Sequence, residues 1–414
     1  MTEALPNLLF ISHRMPFPPD KGEKIRGYNL ITHLAKTYRI HLGCLAESAD
    51  ELRHVAHLRT ICTSVAAFPI HRRRQKLKAL LRVRPGRPLM LDYYAHPALR
   101  RWVDTIAAEH AFDVVYIFCT AMAPYALHIP CPARILDMQD IDSEKWALYA
   151  ENARWPASMI WQREARTLLA YERYAAMQCD MTFLVTEAET RRFAELAPET
   201  ADRLTWIQMG VDANRLEPTA ELADPYEGEG PHLVFVGNMD YWPNADAAIW
   251  FVEAILPLVR HRMPAAQFHI VGANPTPDVQ RLANQPGVHV TGRVADVRPY
   301  VAHATVSVAP LRMARGVQNK VLEAMALRCP VVASSPAVAG VRGAEPGRDL
   351  LVADGPEATA NAIVEVIEGR HPHLTANGRA LIERLYTWDA SLARLDACLD
   401  SVLRPSARAA VDAG

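Results

Sequence analysis

The segment from residue 306 to residue 334 carries charged side chains in a pattern that suits an anionic ligand. A predicted strand leads into a loop with Arg312 and Gly316, and a predicted helix then carries Lys320 and Glu323. Ligands of parallel sheets bind at the carboxyl ends of strands, where a following helix offers free N–H groups and positive dipole to an anion. Arg312 and Lys320 add positive charge there. Glu323 shares a helical face with Lys320, so its carboxylate can accept hydrogen bonds from ribose hydroxyls.

These residues also have ordinary structural interpretations. Lys320 and Glu323 could form an exposed helical ion pair, and Arg312 could be a solvated loop residue. A second group of carboxylates, Asp140 and Asp142, follows a predicted strand in the first half of the chain. We interpret them as catalytic or acceptor-contacting residues, although Asp and Ser clusters also cap helices.

The elements that must position these residues alternate between short apolar runs and longer helical patterns, as in doubly wound α/β domains with parallel sheets. A helix with one buried face is predicted between Asn244 and His261. The aromatic segment DYWPN just before it is interpreted as a packing cluster. The predicted strands are 8–12, 40–45, 113–118, 133–137 and 181–185 in the first half, and 232–238, 267–272, 288–292, 306–310, 330–334 and 349–354 in the second.

The chain of 414 residues is too long for one ordinary core and predicts two domains. We place the first at 1–216 and the second at 232–387. The acidic, Pro- and Gly-rich segment 217–231 is predicted to be the linker. The helix at 388–403 is expected to pack back on the first domain, and residues 405–414 are expected to be disordered.

Composition excludes several classes of protein. The formal net charge is −1, so there is no global attraction to nucleic acid. Seven cysteines without a CxxC pair argue against a disulfide framework or a structural zinc site. The N-terminus has no signal-peptide pattern and no window is apolar enough for a membrane span, which predicts a cytoplasmic protein.

Residues 71–87, HRRRQKLKALLRVRPGR, form the one strongly charged patch. This stretch holds eight Lys and Arg and no acid, with Leu77, Leu80 and Leu81 on one helical side. Such a stretch suits an anionic membrane surface, and it predicts a peripheral position at the inner membrane face. A solvated surface helix is the alternative.

The pattern PLRx3Gx3Kx2EAMAx3PVV, from Pro310 to Val332, resembles the donor-site signature of the retaining glycosyltransferases of family 4, which have the GT-B fold. The N-terminal segments SHRMPFPPDKGEKIRGYNLITHLA, DMQDIDSEKWALYA and YERYAAMQCDMTFLVTEAE resemble a narrower group, the sugar transferases of PEP-CTERM and exosortase exopolysaccharide systems. The resemblance extends over most of the chain, to about Leu403. It implies two Rossmann-like α/β domains facing across a cleft.

The resemblance also implies roles for individual residues. Arg312 and Lys320 would meet the donor diphosphate, and Glu323 would hold the ribose. Together with the two carboxylates of the first half, the predicted catalytic residues are Lys320, Arg312, Asp140 and Asp142. The nucleotide base would be read by the VTGRV segment, and a loop near Gly22 would approach the donor phosphate. The donor-binding set is Gly22, Arg293, Val294, Gly316, Asn319, Lys320 and Glu323.

The resulting prediction is a metal-independent, cofactor-free enzyme that moves a hexosyl unit from a UDP- or GDP-sugar to a hydroxyl of a glycan or lipid-linked glycan. Two alternatives remain open. One is a nucleotide-sugar epimerase of the same fold. The other is a non-catalytic nucleotide-sugar-binding subunit, which is raised by Gln139, Met209 and Arg315, where the family pattern differs. A nicotinamide oxidoreductase is excluded because the first strand is not followed by GxGxxG.

Overall fold

A computed structural model describes residues 5–213, 215–219, 222–314 and 316–403. The chain divides into two compact units, each with its own sheet. The first unit contains residues 1–208 and 392–414, and the second contains residues 209–391. The predicted tail at 405–414 lies outside the described residues.

The first unit is built on a seven-stranded parallel sheet whose central strands are almost completely buried. Its apolar runs are continuous because helices cover both faces of a parallel sheet. The strand order is β3-β2-β1-β4-β5-β6-β7. The strands are β1 Asn7–Ser12, β2 Arg39–Ala46, β3 Ser64–Pro69, β4 Val114–Phe118, β5 Ala133–Gln139, β6 Met181–Leu184 and β7 Leu204–Trp206.

Helices of the first unit fill the crossovers between these parallel strands. Short 3-10 turns occur at Asp50–His54, Thr120–Met122 and Pro198–Arg203. The α-helices are α1 Gly22–Leu34, α2 Val55–Leu58, α3 Arg72–Leu81, α4 Leu89–Tyr93, α5 Pro97–Glu109, α6 Ala123–Ala126, α7 Asp142–Asn152, α8 Ala157–Met177 and α9 Glu187–Leu196.

The second unit repeats the plan with a six-stranded parallel sheet of order β10-β9-β8-β11-β12-β13. All six strands lie within the segments that the sequence predicts. The strands are β8 His232–Val236, β9 Gln267–Val271, β10 Val288–Gly292, β11 Val306–Ala309, β12 Val331–Ala333 and β13 Leu351–Val352.

The predicted helix 244–261 is observed as two α-helices joined by a π-helical turn, Phe251–Ile255. A 3-10 turn occurs at Leu282–Asn284. The α-helices that begin in this unit are α10 Trp242–Trp250, α11 Leu256–Arg262, α12 Pro277–Arg281, α13 Arg298–Ala302, α14 Asn319–Ala326, α15 Ser335–Val338, α16 Pro356–Ile367, α17 Leu374–Leu385 and α18 Trp388–Leu403.

The strand order reverses direction once in each sheet, between β1 and β4 and between β8 and β11. In doubly wound sheets ligands bind in the crevice at this point, outside the carboxyl ends of the strands. The fold therefore selects two places for functional side chains, one in each unit.

The described residues of the segment 217–231, which is predicted as a linker, belong to the second unit. Leu222 is buried, and the ring of Tyr226 stacks on His232 with centroids 4.3 Å apart. Residues from Leu392 onward belong to the first unit, where the Arg394 guanidinium lies 3.7 Å from the centroid of the Trp206 ring.

Candidate functional site

In the second unit, the site at the β8–β11 crevice is centred on the ammonium of Lys320. Lys320 lies in the first turn of α14, and its Nζ donates a hydrogen bond of 2.5 Å to Oδ1 of Asn244. The same Nζ lies 4.5 Å from the centroid of the Phe235 ring. Burial lowers the pKa of Lys320 to about 7, and the Glu323 carboxylate opposes this shift. The ammonium is therefore poised between its charged and neutral forms near neutral pH.

Asn244 is the residue that fixes this ammonium. Its side chain is buried at the start of α10, and its Nδ2 donates to the carbonyl of Asn238, 3.0 Å away, in the loop after β8. A Cβ on Gly237 would come within 2.7 Å of Asn244 Nδ2, so only glycine leaves room for the amide here. From the sequence, this segment, DYWPN, is predicted to be a packing cluster. The signal that could have revealed Asn244 is an amide directly after a helix-initiating proline, a few residues beyond a glycine that follows a strand.

Glu323 lies one turn further along α14 and is half-buried. Burial raises the pKa of its carboxyl to about 7, against the opposing charges of Arg215 and Lys320. Lys320 directs its hydrogen bond to Asn244, so the arrangement is not the exposed helical ion pair considered above.

Arg312, in the loop after β11, has an exposed guanidinium. It forms two hydrogen bonds with the carboxylate of Asp246 on α10, and its Nε lies 2.9 Å from Oδ2. The side-chain hydrogen bonds with Asp246 raise the pKa of Arg312. The guanidinium is thus not simply a solvated loop cation, and an incoming anion would have to share it with Asp246.

The other predicted residues of the second unit lie in the loops after β10 and β11 and at the start of α14. Gly316 has a positive φ of 63°, and Asn319 is the first residue of α14. Arg293 and Val294 follow β10, which is separated from β8 by β9. Two strand spacings place β10 about 10 Å from β8 in the sheet. Arg293 is exposed, whereas Val294 packs against the core.

In the first unit, a cavity of about 490 Å³ lies at the carboxyl ends of β1, β4 and β5. Asp140 and Asp142 both line it. Asp140 Oδ1 is buried and has no hydrogen-bond partner among the described residues. Burial, with the charges of Glu189 and Asp142, raises the pKa of Asp140 to about 7, and burial also raises the pKa of Asp142. Ile141 is the N-cap of α7 and makes no side-chain cap bond, so helix capping does not explain this pair.

His13 and Arg14, which follow β1, line the same cavity. The Nδ1 of His13 is buried without a partner among the described residues, and burial, assisted by Arg14, lowers the pKa of this imidazole to about 4. Arg14 forms ion pairs with Glu23 at 2.8 Å and Glu47 at 2.7 Å. A neutral imidazole and a compensated guanidinium therefore face the cavity at neutral pH.

Gly22 lies apart from the cavity-lining set, at the first position of α1. Its neighbour Lys21 forms an ion pair with Glu47, with Nζ 2.5 Å from Oε2. The lysine that precedes Gly22 is thus engaged with a carboxylate that it shares with Arg14 and Arg72.

Residues 230–369, which contain the Lys320 site, match the family model for Glycosyl transferases group 1. A crystal structure of Anabaena Alr3699/HepE in complex with UDP is 15% identical, with a TM-score of 0.66 over 95% of this chain and 100% of that chain. The chain has the GT-B fold.

Other solved structures with this fold are equally distant in sequence. Sucrose-phosphate synthase from Thermosynechococcus elongatus is 16% identical, with a TM-score of 0.70 over 94% of this chain and 98% of that chain. WaaG, a glycosyltransferase involved in lipopolysaccharide biosynthesis, is 14% identical, with a TM-score of 0.62 over 96% and 100% of the two chains. No curated protein matches the chain in sequence.

Among the described residues, no group of three or more His, Cys, Asp or Glu side chains is placed to hold a metal ion. No helix in the described ranges is long and apolar enough to cross a membrane.

Proposed function

We propose that the chain is a retaining glycosyltransferase of family 4 that transfers a hexosyl unit from a UDP- or GDP-sugar to a glycan hydroxyl. The observation that carries the proposal is the Lys320–Asn244 pair at the β8–β11 crevice, inside the segment that matches the group 1 family model. Solved HepE structures contain UDP and UDP-glucose, which supports a nucleotide-sugar donor.

The proposed donor site uses the N-terminus of α14. Lys320 and the first N–H groups of the helix meet the diphosphate, with Gly316 and Asn319 shaping the approach. Glu323 accepts hydrogen bonds from the ribose, and Arg293 and Val294 lie against the base. Arg312 exchanges part of its bonding to Asp246 for a phosphate oxygen, since a planar guanidinium binds phosphate bidentately.

During transfer the bond from the anomeric carbon to the diphosphate breaks, and the electron pair leaves on the diphosphate. A new bond forms between that carbon and the acceptor oxygen, whose proton is released. The protonated Lys320 and the helix dipole stabilise the growing negative charge without a metal. We assign contact with the acceptor to Asp140 and Asp142 in the cavity of the first unit.

We further propose that the enzyme works in exopolysaccharide assembly in the cytoplasm, at the inner membrane face, where residues 71–87 meet anionic lipid. The resemblance to transferases of PEP-CTERM systems supports this placement.

A thermal-shift panel of UDP, GDP, ADP and their sugars tests the donor assignment, with Lys320→Ala as the matched control. A ligand at 100 times its Kd stabilises a protein by about 2.7 kcal/mol. UDP or GDP should raise the Tm of the wild type and have little effect on the variant. Equal shifts in both proteins would place the nucleotide elsewhere.

Release of nucleoside diphosphate with an acceptor panel then separates the candidate activities. Release that depends on acceptor supports the transferase. Conversion of the donor to its epimer without acceptor would identify an epimerase, and binding without release under any acceptor would identify a non-catalytic subunit.

A further inference from the structure

The outer face of α3 is apolar and basic, the reverse of an ordinary surface helix. The helix buries Gln75 and Ala79 and exposes its leucines, with Leu77 59% and Leu81 78% accessible. A surface helix in water normally buries its apolar stripe. The exposed stripe is therefore placed for contact with something apolar outside the unit.

A second exposed apolar group lies at the corner between α7 and α8. Trp155 is 76% accessible and Met159 60%, and Ile160 is also exposed. Arg163, one turn further along α8, donates hydrogen bonds to the carbonyls of Arg84 and Arg87, which follow α3. The two exposed groups are thus held on neighbouring elements of one unit. We call them together the α3–α8 surface, residues 72–84 and 154–160.

This surface holds most of the large exposed apolar side chains of the described residues. Seven of the thirteen belong to it, namely Leu77, Leu80, Leu81, Val83, Trp155, Met159 and Ile160. Residues 71–87 carry eight Lys and Arg and no acid, and Arg154 adds another cation at the α7–α8 corner. Apolar groups ringed by cations match an anionic bilayer, which accepts both, and tryptophan favours the membrane interface. A symmetric dimer would press this basic surface against its own copy, and that arrangement is repelled.

The cavity behind this surface has two chemically different ends. Helices α3, α4 and α8 contribute a wall that is mostly apolar, with Leu80, Leu89, Met90 and Trp161, although Lys76 and Glu164 also belong to it. The segment after β5 contributes the carboxylates described above. Leu80 lines the cavity and is also 54% accessible, so it lies at the rim. Helices α3 and α8 thus contribute both to the wall of the cavity and to the α3–α8 surface.

We propose that the α3–α8 surface docks on an anionic bilayer and that the cavity behind it receives the sugar end of an acceptor whose lipid stays in that bilayer. The apolar wall meets the lipid-proximal part of the acceptor, and Asp140 and Asp142 meet its hydroxyls. The docking half stands independently of catalysis. The acceptor half rests on the proposed transferase function.

Vesicle sedimentation tests the docking half. The wild type should bind phosphatidylglycerol vesicles and not phosphatidylcholine vesicles. Leu77→Ser with Leu81→Ser and Trp155→Ser should lower the partition coefficient at least tenfold, as should Arg73→Glu with Arg74→Glu and Arg82→Glu. Arg72 is left unchanged because it forms an ion pair with Glu47. The control reverses three exposed arginines elsewhere, Arg191, Arg281 and Arg370, and should bind like the wild type.

Brominated lipid gives a readout of depth. It should quench wild-type tryptophan fluorescence more than that of Trp155→Phe. Circular dichroism confirms that the variants are folded. Wild-type binding by the serine variant, or equal loss in the arginine control, would overturn docking. A wild-type dimer in light scattering that the serine variant abolishes would instead assign the surface to a second copy.

The acceptor half is tested by nucleoside diphosphate release with one hexose presented in two ways, free in solution or attached to a lipid in phosphatidylglycerol vesicles. The lipid-linked form should give at least a tenfold higher kcat/KM, and the serine variant should lose this advantage. Equal rates with the two forms would overturn the acceptor class. No release from either form, with vesicle binding intact, would count against the transferase function and leave docking standing.

Discussion

At the residue scale, the candidate donor site depends on one cation whose charge is under environmental control. Lys320 has its pKa lowered to about 7 by burial, while Asn244 offers only a neutral oxygen. A neutral partner fixes the direction of the ammonium without fixing its charge. An arriving diphosphate would supply the missing negative charge and raise the pKa of the lysine. Binding of the donor and protonation of Lys320 should therefore be coupled.

This coupling predicts a pH dependence of kcat/KM for the donor. Protonated Lys320 binds the diphosphate, so the value should fall as pH rises above about 7. Asn244→Asp places a carboxylate beside the ammonium, which raises the pKa of Lys320 and should move the fall upward by roughly one to three pH units. Glu323→Gln removes a negative charge that raises the pKa of Lys320. In this variant kcat/KM should therefore fall at a lower pH than in the wild type. Asn274→Asp, an exposed amide that bonds to Asn238, is the control. Identical profiles for Asn244→Asp and the wild type would contradict the role of Lys320.

The two charged residues of α14 should also separate in steady-state kinetics. Negative charge grows on the diphosphate as the glycosidic bond breaks, so Lys320→Ala should lower kcat by on the order of 10² to 10³. Ribose hydroxyls keep their charge during the reaction, so Glu323→Gln should mainly raise KM for the donor. Donor kinetics with a competent acceptor measure both. An unchanged kcat in Lys320→Ala beside a lost kcat in Glu323→Gln would reverse the assignment.

At the element scale, the sequence predicts the strands that are buried on both faces and misses β3 and β7, the two edge strands of the first sheet. The runs of β1, β8 and β9 are continuous and apolar because helices cover both sides. The edge strand β3 has mostly half-buried residues, and β7 has only three residues, so neither produces a readable run.

The candidate site shows the same limit. The loop and helix that carry Arg312 and Lys320 are readable from local spacing. Their partners Asp246 and Asn244 are not, because they lie 66 and 76 residues earlier in the chain and are brought near by the order of the strands.

Two glycines should respond in opposite ways to alanine. Gly272 directly follows β9 and has φ of 147°, and a Cβ there would lie 1.8 Å from the carbonyl oxygen of Gly237. Gly272→Ala should lower the free energy of unfolding by about 1 to 3 kcal/mol. It should also disturb the Asn244 amide that packs on Gly237. Gly27, within α1, would give its Cβ ordinary contacts at 3.5 Å. Gly27→Ala should raise the free energy of unfolding by about 0.4 to 1 kcal/mol. Thermal unfolding measures both, and a stable Gly272→Ala protein would show that the β8 and β9 ends can separate.

The pairing of α7 with α8 contains a buried carboxyl that should titrate with the fold. Glu172 on α8 accepts hydrogen bonds from the N–H and the hydroxyl of Ser143 on α7, at 3.1 and 2.5 Å. Burial raises its pKa to about 8 from 4.5. The folded protein therefore binds this proton more tightly than the unfolded chain. The resulting stability is full below pH 4.5 and is lost as pH rises to about 8.

Glu172→Gln removes this titration, so the Tm of the variant relative to the wild type should rise between pH 5 and pH 8. The corresponding change in the free energy of unfolding is at most about 1.4 kcal/mol for each unit by which folding shifts the pKa of Glu172. Glu199→Gln, at an exposed ion pair with Arg173, serves as the control. A Tm difference that is constant with pH would mean that Glu172 is ionised in the fold.

At the scale of the whole molecule, the chain builds two units with separate cores and uses both of its ends for the first one. It leaves the first unit after Gln208 and returns at Leu392. The returning part of α18 brings Arg394 over the Trp206 ring and Asp396 to His33, with 2.8 Å between Oδ1 and Nε2. The first unit is thus closed by contacts more than 180 residues apart in sequence, as between Arg394 and Thr205.

Removing one of these closing contacts should loosen the first unit. The half-buried Arg394 stacks on Trp206 and donates a 2.9 Å hydrogen bond to Thr205. Substitution by alanine removes both contacts. Cation–π contacts contribute about 0.5 to 2 kcal/mol, so Arg394→Ala should lower the Tm by a few degrees. Asp400→Ala, on the exposed side of the same helix, controls for helix propensity. Limited proteolysis should cut Arg394→Ala faster than the control within residues 388–403, because detachment of the helix exposes its backbone. If the two variants are cut at equal rates and unfold at the same temperature, the stacking on Trp206 does not hold the helix. Its other contacts, namely the Asp396–His33 pair and the buried Leu395 and Leu399, then hold it instead.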